Sequence, residues 1–430
     1  MPKVIILSKI YEMIVYKFGG GILTDAAAVK NISAVLPDDE KSMVIVISAF
    51  GKTTNALEKL LGAWFSGDED IRAHLETISG FHLTIAGGLD KGTGITGGFK
   101  QSLAELENYL LSARRGEYDF EYDQVVSYGE LWSSAIVSAW LKQEGFDAEW
   151  VDIRNCLITD GRHRDANILW GESTPRVKNS FDPAKHRIYV TQGFIGGTAA
   201  GYTTTLGREG SDYTASVLAN MLDARMAVIW KDVPGVLNAD PKWLNDAVQL
   251  EEISYKEAVE MAFSGAKIIH PKTVKPLHNK NIPLYIKSFY EPEYKGTLVT
   301  SVARSSFTIP VFVRKENQIL VSILPLDFSF VMGDNLGIVF HTFMLHGIKV
   351  NLVQASAVSI NVCVDNEKRK IEKLVDDLSR EYKVLYNEDV EILTVMRHTR
   401  EAIARVVSGR EILLEQKTRR VVRFVVRRVK

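Results

Sequence analysis

Residues 13–21 read MIVYKFGGG, a short apolar run with β-branched residues that ends in three glycines. A helix-compatible stretch follows to about Leu36, so this segment predicts a strand, a glycine turn and a helix. A second apolar strand at residues 43–48 leads into a helical run at residues 54–65 in the same way. Repeated β-then-α units predict an α/β fold with a mainly parallel sheet sandwiched by helices.

The pattern continues along the next two hundred residues. We predict further buried strands at residues 148–152, 186–191 and 227–230, and helices at residues 131–143, 212–222 and 255–263. Residues 91–99 are rich in glycine and open toward a long polar helix, which is typical of a mobile flap at the mouth of a site.

The pattern changes after residue 300. From residue 309 the order is strand, helix (335–346), strand, strand, helix (367–381), strand, which is the βαββαβ order of an α+β ferredoxin-like unit. A partial second copy follows, with no chain left for its last helix. We therefore expect part of its apolar face to be exposed in a single chain, and the arginine-rich end of the chain to form an edge strand.

Composition limits the classes of function. The chain has 430 residues, 46% of them hydrophobic and 24% charged, and a net charge of -1, so no overall field draws it to nucleic acid or to an anionic membrane. Its two cysteines lack metal or disulfide spacing and indicate a reducing cytoplasm.

We predict a domain over residues 13–300 and a region of two smaller units over residues 301–430, the second split or incomplete. Residues 1–12 are interpreted as a leader or a misassigned start.

Two motifs near the start end the first two strands. Lys17 stands at the end of the first strand, and the bare amides of Gly19 and Gly20 beside it could approach an anion, although a simple turn is an open alternative. Residues 48–55, SAFGKTTN, include Ser48 and Thr54, which could face a ligand, but on this segment alone helix capping is favoured.

Residues 127–130, SYGE, precede a predicted helix and allow two interpretations. The spacing is that of a capping box, in which Glu130 would satisfy backbone amides at the start of the helix. Alternatively, Glu130 accepts the ammonium group of a substrate. The sequence alone does not decide between them.

Residues 203–213, TTTLGREGSDY, are the most informative stretch. Arg208 offers a planar fork for a carboxylate, and the helix start at Gly210 and Ser211 offers amides for an oxyanion. Asp212 could hold Mg²⁺ or orient the acceptor. The alternative is that Ser211 is only an N-cap, which is compatible with function.

Two later loops carry lysines. Lys231 and Asp232 follow a buried strand, at the end where open α/β sheets bind ligands. Lys267 follows a predicted C-cap at Gly265 and is placed to reach a phosphate, although a solvated lysine is the commoner outcome. No histidine pair has metal-ligand spacing, so we predict no zinc and no metal site built from protein ligands.

The motifs KFGG, SAFGKTTN, SYGEL, TQGFIG, TTTLGREGSDYTA, WKDVPGV and SGAKIIHP occur in this order. Taken together they resemble the aspartate kinases of the amino acid kinase family, which carry C-terminal ACT domains. The resemblance implies a cytoplasmic enzyme that transfers the γ-phosphoryl group of MgATP to the β-carboxylate of L-aspartate, giving 4-phospho-L-aspartate for lysine, threonine and methionine biosynthesis. It also implies a homodimer formed through the ACT domains.

The resemblance also implies roles for individual residues. Lys17 and Asp212 are the expected catalytic residues. Ser48, Thr54, Glu130, Arg208, Gly210 and Ser211 are the expected aspartate-binding residues. The nucleotide is expected at Lys17, Gly19, Gly20, Lys231, Asp232, Lys242 and Lys267, with Mg²⁺ carried by ATP. An effector, lysine or threonine, is expected near Met332, Gly333, Asn335, Gly337 and Asn351.

The sequence departs from the family at several positions. Gly21-Ile22 stands where Thr-Ser is usual, and Leu237 replaces a common aromatic residue beside the adenine. Lysine-inhibited members tend to carry an acid where Asn351 stands, and a neutral amide cannot offset an ammonium charge. Two alternative functions stay open: a kinase of another amino acid or of carbamate, and a catalytically weak amino-acid sensor.

Overall fold

The structure, a computed structural model, describes residues 12–37, 41–67, 70–112, 114, 116–266, 268–302, 309–327 and 334–428. The chain divides into two compact units. The first comprises the chain up to Val236, the segment Leu250–Ala258, and the segment that begins at Ile269 and ends beyond β10 (Thr297–Thr300). The second comprises Leu237–Gln249, the segment that begins at Val259, and the C-terminal part of the chain.

The first unit contains an eight-stranded sheet in the order β3-β4-β2-β1-β7-β9-β10-β8, in which every pair is parallel except β9 with β10. Its strands are β1 (Met13–Phe18), β2 (Ser42–Ile47), β3 (Ala148–Val151), β4 (Ile188–Gln192), β7 (Met226–Lys231), β8 (Glu252–Ser254), β9 (Leu284–Ser288) and β10. A small hairpin pairs β5 (Ile195–Gly197) with β6 (Thr203–Thr205). The fold class predicted from the sequence is confirmed.

Helices occur between these strands over residues 26–280. They are α1 (Ala26–Asn31), α2 (Thr53–Ser66), α3 (Ile71–Leu89), α4 (Ile95–Leu111), α5 (Tyr118–Val126), α6 (Tyr128–Gln143), α7 (Trp170–Ser180), α8 (Gly210–Met221), α9 (Tyr255–Ser264) and α10 (Pro271–Lys280). β1 and β2 are buried along their whole length, since helices cover both faces of a central parallel sheet. The first helix is shorter than predicted, because the Ser33 hydroxyl donates to the Lys30 carbonyl at 2.8 Å and a 3₁₀ turn follows.

The second unit contains a six-stranded antiparallel sheet in the order β12-β13-β11-β14-β16-β15. Its elements are β11 (Val311–Pro325), α11 (Asp334–Leu345), β12 (Val350–Ala355), β13 (Ile360–Asp365), α12 (Lys368–Leu378), β14 (Tyr382–Met396), α13 (Arg400–Val407), β15 (Arg410–Lys417) and β16 (Val421–Arg428). β11 and β14 are long enough to serve both copies: the first half of β11 pairs with the last half of β14. The first half of β11 therefore contributes a strand to the second copy.

The expectation of an exposed apolar face on the second copy was wrong for β16, whereas Ile412 of β15 is exposed. Val422, Phe424 and Val426 are buried against α13 and against the segment 237–249, whose Trp243 packs on the same cluster. On the opposite face, Leu352 of β12 and Leu414 of β15 share one cluster, and the Gln416 side chain donates to the Val353 carbonyl at 3.3 Å. The edge strands β12 and β15 thus approach each other and cover this cluster. The arginine-rich strand β16 lies between β14 and β15, so the expectation that it forms an edge was wrong.

No helix in the described parts of the chain is both long and apolar enough to cross a membrane.

Candidate active site

A cavity of about 560 Å³ opens in the first unit, at the carboxyl ends of β1, β2 and β7. Ligands bind at this end of parallel strands in open α/β sheets, because strand ends and helix starts converge there. The cavity is lined by Lys17, Gly20, Gly21, Ser48, Ala49, Gly51, Thr54, Tyr122, Glu130, Arg164, Phe194, Gly207, Arg208, Glu209, Gly210, Ser211, Asp212 and Lys231.

A buried charge cluster forms the floor of the cavity. Lys17 Nζ lies 2.6 Å from Asp212 Oδ1, and Lys231 Nζ lies 3.6 Å from Asp212 Oδ2. Burial alone would raise the pKa of Asp212, but the two lysines outweigh that effect and hold its pKa below the ordinary value. Asp212 is therefore an ionised carboxylate between two ammonium groups. The cluster brings together three residues that the sequence placed on separate strands and a helix.

The glycine turn after β1 is packed against the turn after β2. A Cβ added at Gly20 would lie 2.2 Å from the Ala49 carbonyl oxygen, so no side chain fits there. The Gly51 amide donates to the Gly20 carbonyl at 3.0 Å and holds the two turns together. Beside them, a Cβ at Gly19 would lie 3.4 Å from Lys17 Nζ. A narrow, side-chain-free turn next to a lysine fits a phosphate group.

Glu130 is not part of a capping box. The Ser127 hydroxyl donates to the Gln124 carbonyl and accepts no amide at the start of α6, while Glu130 Oε1 accepts the Ala49 amide at 3.4 Å. Glu130 is 3% exposed, and its Oε2 has no hydrogen-bond partner among the described residues. Burial raises the pKa of Glu130 to about 8, against smaller opposing effects of backbone amides and of Lys17. An unpartnered buried carboxylate at a cavity wall favours a ligand cation.

The loop between β6 and α8 places the remaining predicted groups. Arg208 lines the cavity with an exposed side chain, and Glu209 has a left-handed backbone with φ of 54°. Helix α8 begins at Gly210, one residue before the position expected for an N-cap at Ser211. Ser211 and Asp212 thus lie in the first turn of the helix, so the N-cap interpretation of Ser211 was wrong.

Gly210 and its neighbours are tightly packed. A Cβ added at Gly210 would lie 2.7 Å from the Phe194 ring. A Cβ added at Gly193 would lie 2.5 Å from the Cβ of Ser211. Any larger residue would push the start of α8 away from the cavity.

The structure does not bring every predicted residue to this cavity. Ser48 and Thr54 line it, but Asp232 is exposed and does not. Lys242 lies in the second unit, where its amide donates to Asp240. Residues 91–99, expected to form a flap, also do not line it: the Asp90 carboxylate accepts the amides of residues 92, 93 and 96 and ties this loop to the start of α4.

The predicted effector residues lie in or beside the second unit. Asn335 accepts the Tyr382 hydroxyl at 2.9 Å, and Gly337 is in α11. Asn351 is buried, and its amide nitrogen donates to Gln318 at 2.8 Å and to Asp365 at 3.0 Å. Lys267, Met332 and Gly333 lie outside the described residues.

Several residues of the cavity wall were not predicted as site residues, among them Tyr122, Arg164 and Phe194. Phe194 is in the stretch TQGFIG, which could have been examined as a site motif. Tyr122 and Arg164 stand in segments without glycine or motif spacing, so no local signal marks them.

Residues 12–288 match the amino acid kinase family. The chain belongs to the amino acid kinase family. Within this family it is 31% identical over 362 residues to the lysine-sensitive aspartokinase 3 of Escherichia coli (strain K12), covering 82% of this chain and 78% of that protein. The resemblance to aspartate kinases is confirmed.

Two further comparisons agree with this family assignment. The chain is 30% identical over 325 residues to the chloroplastic bifunctional aspartokinase/homoserine dehydrogenase 2 of Arabidopsis thaliana, of which it spans about a third (35%), with 72% of this chain covered. Among solved structures, E. coli aspartokinase III in complex with aspartate and ADP is similar with a TM-score of 0.81 and 27% identity, over 97% of this chain and 96% of that one.

Proposed function

We propose that this protein is an aspartate kinase, which transfers the γ-phosphoryl group of ATP to the β-carboxylate of L-aspartate. One observation carries the proposal: one end of the cavity suits a phosphate group, and the other end suits an amino acid that bears both an ammonium and a carboxylate group. Lys17 beside the glycine turn forms the first, and Glu130 with Arg208 forms the second. Relatives named aspartokinases at about 30% identity support it.

The proposed chemistry needs positioning more than it needs a base. A carboxylate is ionised at neutral pH and is already a nucleophile, so the protein has to hold two anions together and offset the charge that spreads over the moving phosphoryl group. Lys17 contributes an ammonium group beside the glycine turn. Asp212 keeps Lys17 and Lys231 in place, since its carboxylate contacts both amines. The amides at the start of α8 face the same cavity.

The amino acid would be held by its two other charged groups. Glu130 Oε2 faces the ammonium, and the Arg208 guanidinium faces the α-carboxylate. Ser48 and Thr54 contribute hydroxyls between the two ends. Mg²⁺, carried by the ATP phosphates, would supply further neutralisation of phosphate charge. Among the residues that the structure describes, no group of three or more His, Cys, Asp or Glu side chains is arranged to hold a metal.

The test is a coupled assay of ADP release with hydroxylamine trapping of the acyl phosphate. Aspartate should give ADP and a hydroxamate, whereas glutamate and carbamate should give at most a few per cent of that rate. ADP release with glutamate or carbamate alone would favour the kinase of another acceptor. A chain that binds aspartate but releases no ADP with any acceptor would be the amino-acid sensor.

The pH dependence of aspartate use should follow Glu130. Only the ionised carboxylate attracts an ammonium group, and the pKa of Glu130 in the ligand-free protein is about 8. We expect kcat/KM for aspartate to fall as the pH drops below about 8, approaching tenfold per pH unit, because kcat/KM reports the free enzyme. In Glu130→Gln the residual kcat/KM should lack this dependence. A wild-type profile that is flat between pH 6 and 8 would contradict this role.

The same shift affects the stability of the ligand-free protein. A carboxyl group whose folded pKa is raised adds stability below its unfolded pKa, near 4.5, and loses it as the pH rises through about 8. In thermal unfolding, the melting temperature of the wild type should therefore fall relative to that of Glu130→Gln as the pH rises over this interval. Saturating aspartate should reduce this difference in melting temperature.

Residues 13–300 are proposed to be the catalytic domain and residues 301–430 a regulatory region, with an amino acid, lysine or threonine, as its effector. The complex of E. coli aspartokinase III with lysine and aspartate supports an effector of this class. The side-chain amide nitrogen of Asn351 donates to Gln318 and to Asp365. An effector that binds near Asn351 would therefore contact these hydrogen-bonded side chains. Repeating the assay with lysine, threonine and methionine identifies the effector.

We also propose a homodimer through the second unit. Helix α11 leaves Ile338, Met344 and Leu345 exposed, with Met344 at 65% and Leu345 at 69%. Light scattering should give twice the chain mass for wild type and the single-chain mass for Met344→Glu/Leu345→Glu. Ile412→Glu, at an exposed apolar position on β15, is the matched control and should stay dimeric. A monomeric wild type defeats the proposal.

A further inference from the structure

A second arginine, Arg164, lines the cavity together with Arg208. Its guanidinium lies over the Tyr122 ring, with Cζ 4.4 Å from the ring centroid. Its ion pairs with Glu58 at 3.6 Å and with Asp119 at 3.3 Å are half-exposed, and such pairs are weak and easily exchanged. Arg164 is thus a cation at the cavity wall that a ligand anion can recruit.

The backbone at Arg164 is held in a conformation that a side chain disfavours. Its φ is 66°, in the left-handed region that glycine adopts without cost. A residue with a long side chain at such a position is retained only if the surrounding structure enforces the conformation. Strained non-glycine residues cluster at functional sites, so the strain at Arg164 indicates a function for its side chain.

A buried carboxylate enforces this conformation. Asp123 is fully buried and accepts the Arg164 amide at 3.2 Å, while its Oδ2 lies 2.7 Å from His163 Nδ1. The same carboxylate accepts the Thr205 hydroxyl at 2.6 Å. Thr205 ends β6, three residues before Arg208. Asp123 therefore ties the loop that carries Arg164 to the loop that carries Arg208.

The two loops also touch directly. The Ala166 amide donates to the Thr205 carbonyl at 2.9 Å, and a Cβ at Gly207 would lie 3.2 Å from the Arg164 carbonyl oxygen and 2.8 Å from Asp165 Oδ1. Glycine at position 207 allows this close approach. The loops that carry the two arginines are thus in contact, and both arginines line the cavity.

We propose that Arg164 is a specificity-determining residue that, with Arg208, clamps the carboxylate of the amino-acid substrate that is not phosphorylated. The inference rests on the proposed function, since it names the group of aspartate that Arg164 recognises. Two planar guanidinium forks surround one carboxylate better than one fork does, and they discriminate against acceptors that lack it. Glu58 and Asp119 hold Arg164 while no substrate is bound.

The test compares L-aspartate with β-alanine, which has the ammonium and the reacting carboxylate but no α-carboxylate. Dissociation constants are measured by ligand-observed NMR on the full chain, for wild type, Arg164→Gly and Arg162→Gly. Glycine suits the left-handed backbone, so Arg164→Gly should keep the melting temperature. Arg162 is an exposed neighbour that does not line the cavity, and it is the matched control.

We expect Arg164→Gly to weaken aspartate binding about tenfold or more and to leave β-alanine binding within twofold of wild type. Arg164→Lys, which keeps the charge without the planar fork, should be intermediate, and Arg162→Gly should bind both like wild type. Unchanged aspartate binding in Arg164→Gly, or an equal loss for both ligands, overturns the proposal. Aspartate binding that responds to Arg164 without any ADP release would instead refute only the kinase function. A wild type that does not bind aspartate overturns both.

Discussion

Replacing Lys17 by alanine should lower kcat for ADP release by about 10³-fold or more. The Lys17 ammonium is the cation nearest to the glycine turn, and charge stabilisation of a transferring phosphoryl group is worth effects of this size. Aspartate binding should change little, because the groups assigned to the amino acid are Glu130 and Arg208. The measurement is single-turnover ADP release, with the aspartate dissociation constant determined on the same preparation.

Loss of Lys17 also removes one of the two partners of a buried carboxylate. Asp212 then keeps only Lys231, at 3.6 Å, so some loss of melting temperature is expected and rates must be normalised to the folded fraction. Lys17→Arg keeps the charge and tests geometry; it should fold like wild type and remain slow. Lys52→Ala, at an exposed lysine near the same turn, should keep normal turnover. Normal turnover of Lys17→Ala would remove Lys17 from the mechanism.

Replacing Glu130 by alanine should raise the Michaelis constant for aspartate about 100-fold with little change in melting temperature. Removing one partner of a buried charge pair costs about 2–5 kcal/mol of binding, and the aspartate ammonium is the proposed partner. Without ligand, Glu130 accepts a long hydrogen bond from the Ala49 amide and carries the cost of burial. The folded protein therefore loses little when the carboxylate is removed.

Ser127→Ala separates this role from helix capping. In a capping box, Ser127 and Glu130 would each stabilise the start of α6, and removing either would cost about 1 kcal/mol. The Ser127 hydroxyl donates to the Gln124 carbonyl, so its removal should change neither the Michaelis constant nor the melting temperature by much. A clear fall in melting temperature for both variants, with aspartate kinetics intact, would restore the capping interpretation.

The parallel sheet and its ligand-binding edge were predictable from the sequence. The β-then-α repeats, the apolar strands and the turn glycines are local signals, set by residues a few positions apart. Parallel strands bring their carboxyl ends to one edge, so Lys17 and Lys231, each at the end of its strand, could be expected on the same side. Strand direction therefore accounts for the shared position of the two lysines.

Only the tertiary structure decided that Glu130 lies at the cavity wall and not in a capping box, and that Arg164 lines the same cavity. The Glu130 carboxylate meets the Ala49 amide across 81 positions of the chain, and Asp123 meets Thr205 across 82. The apolar face of the second copy is likewise covered by a distant part of the chain, because Trp243 packs against the cluster that includes residues of β16. Local pattern specifies which element forms and which of its faces is apolar; which distant side chain comes to lie against that face is decided when the elements pack.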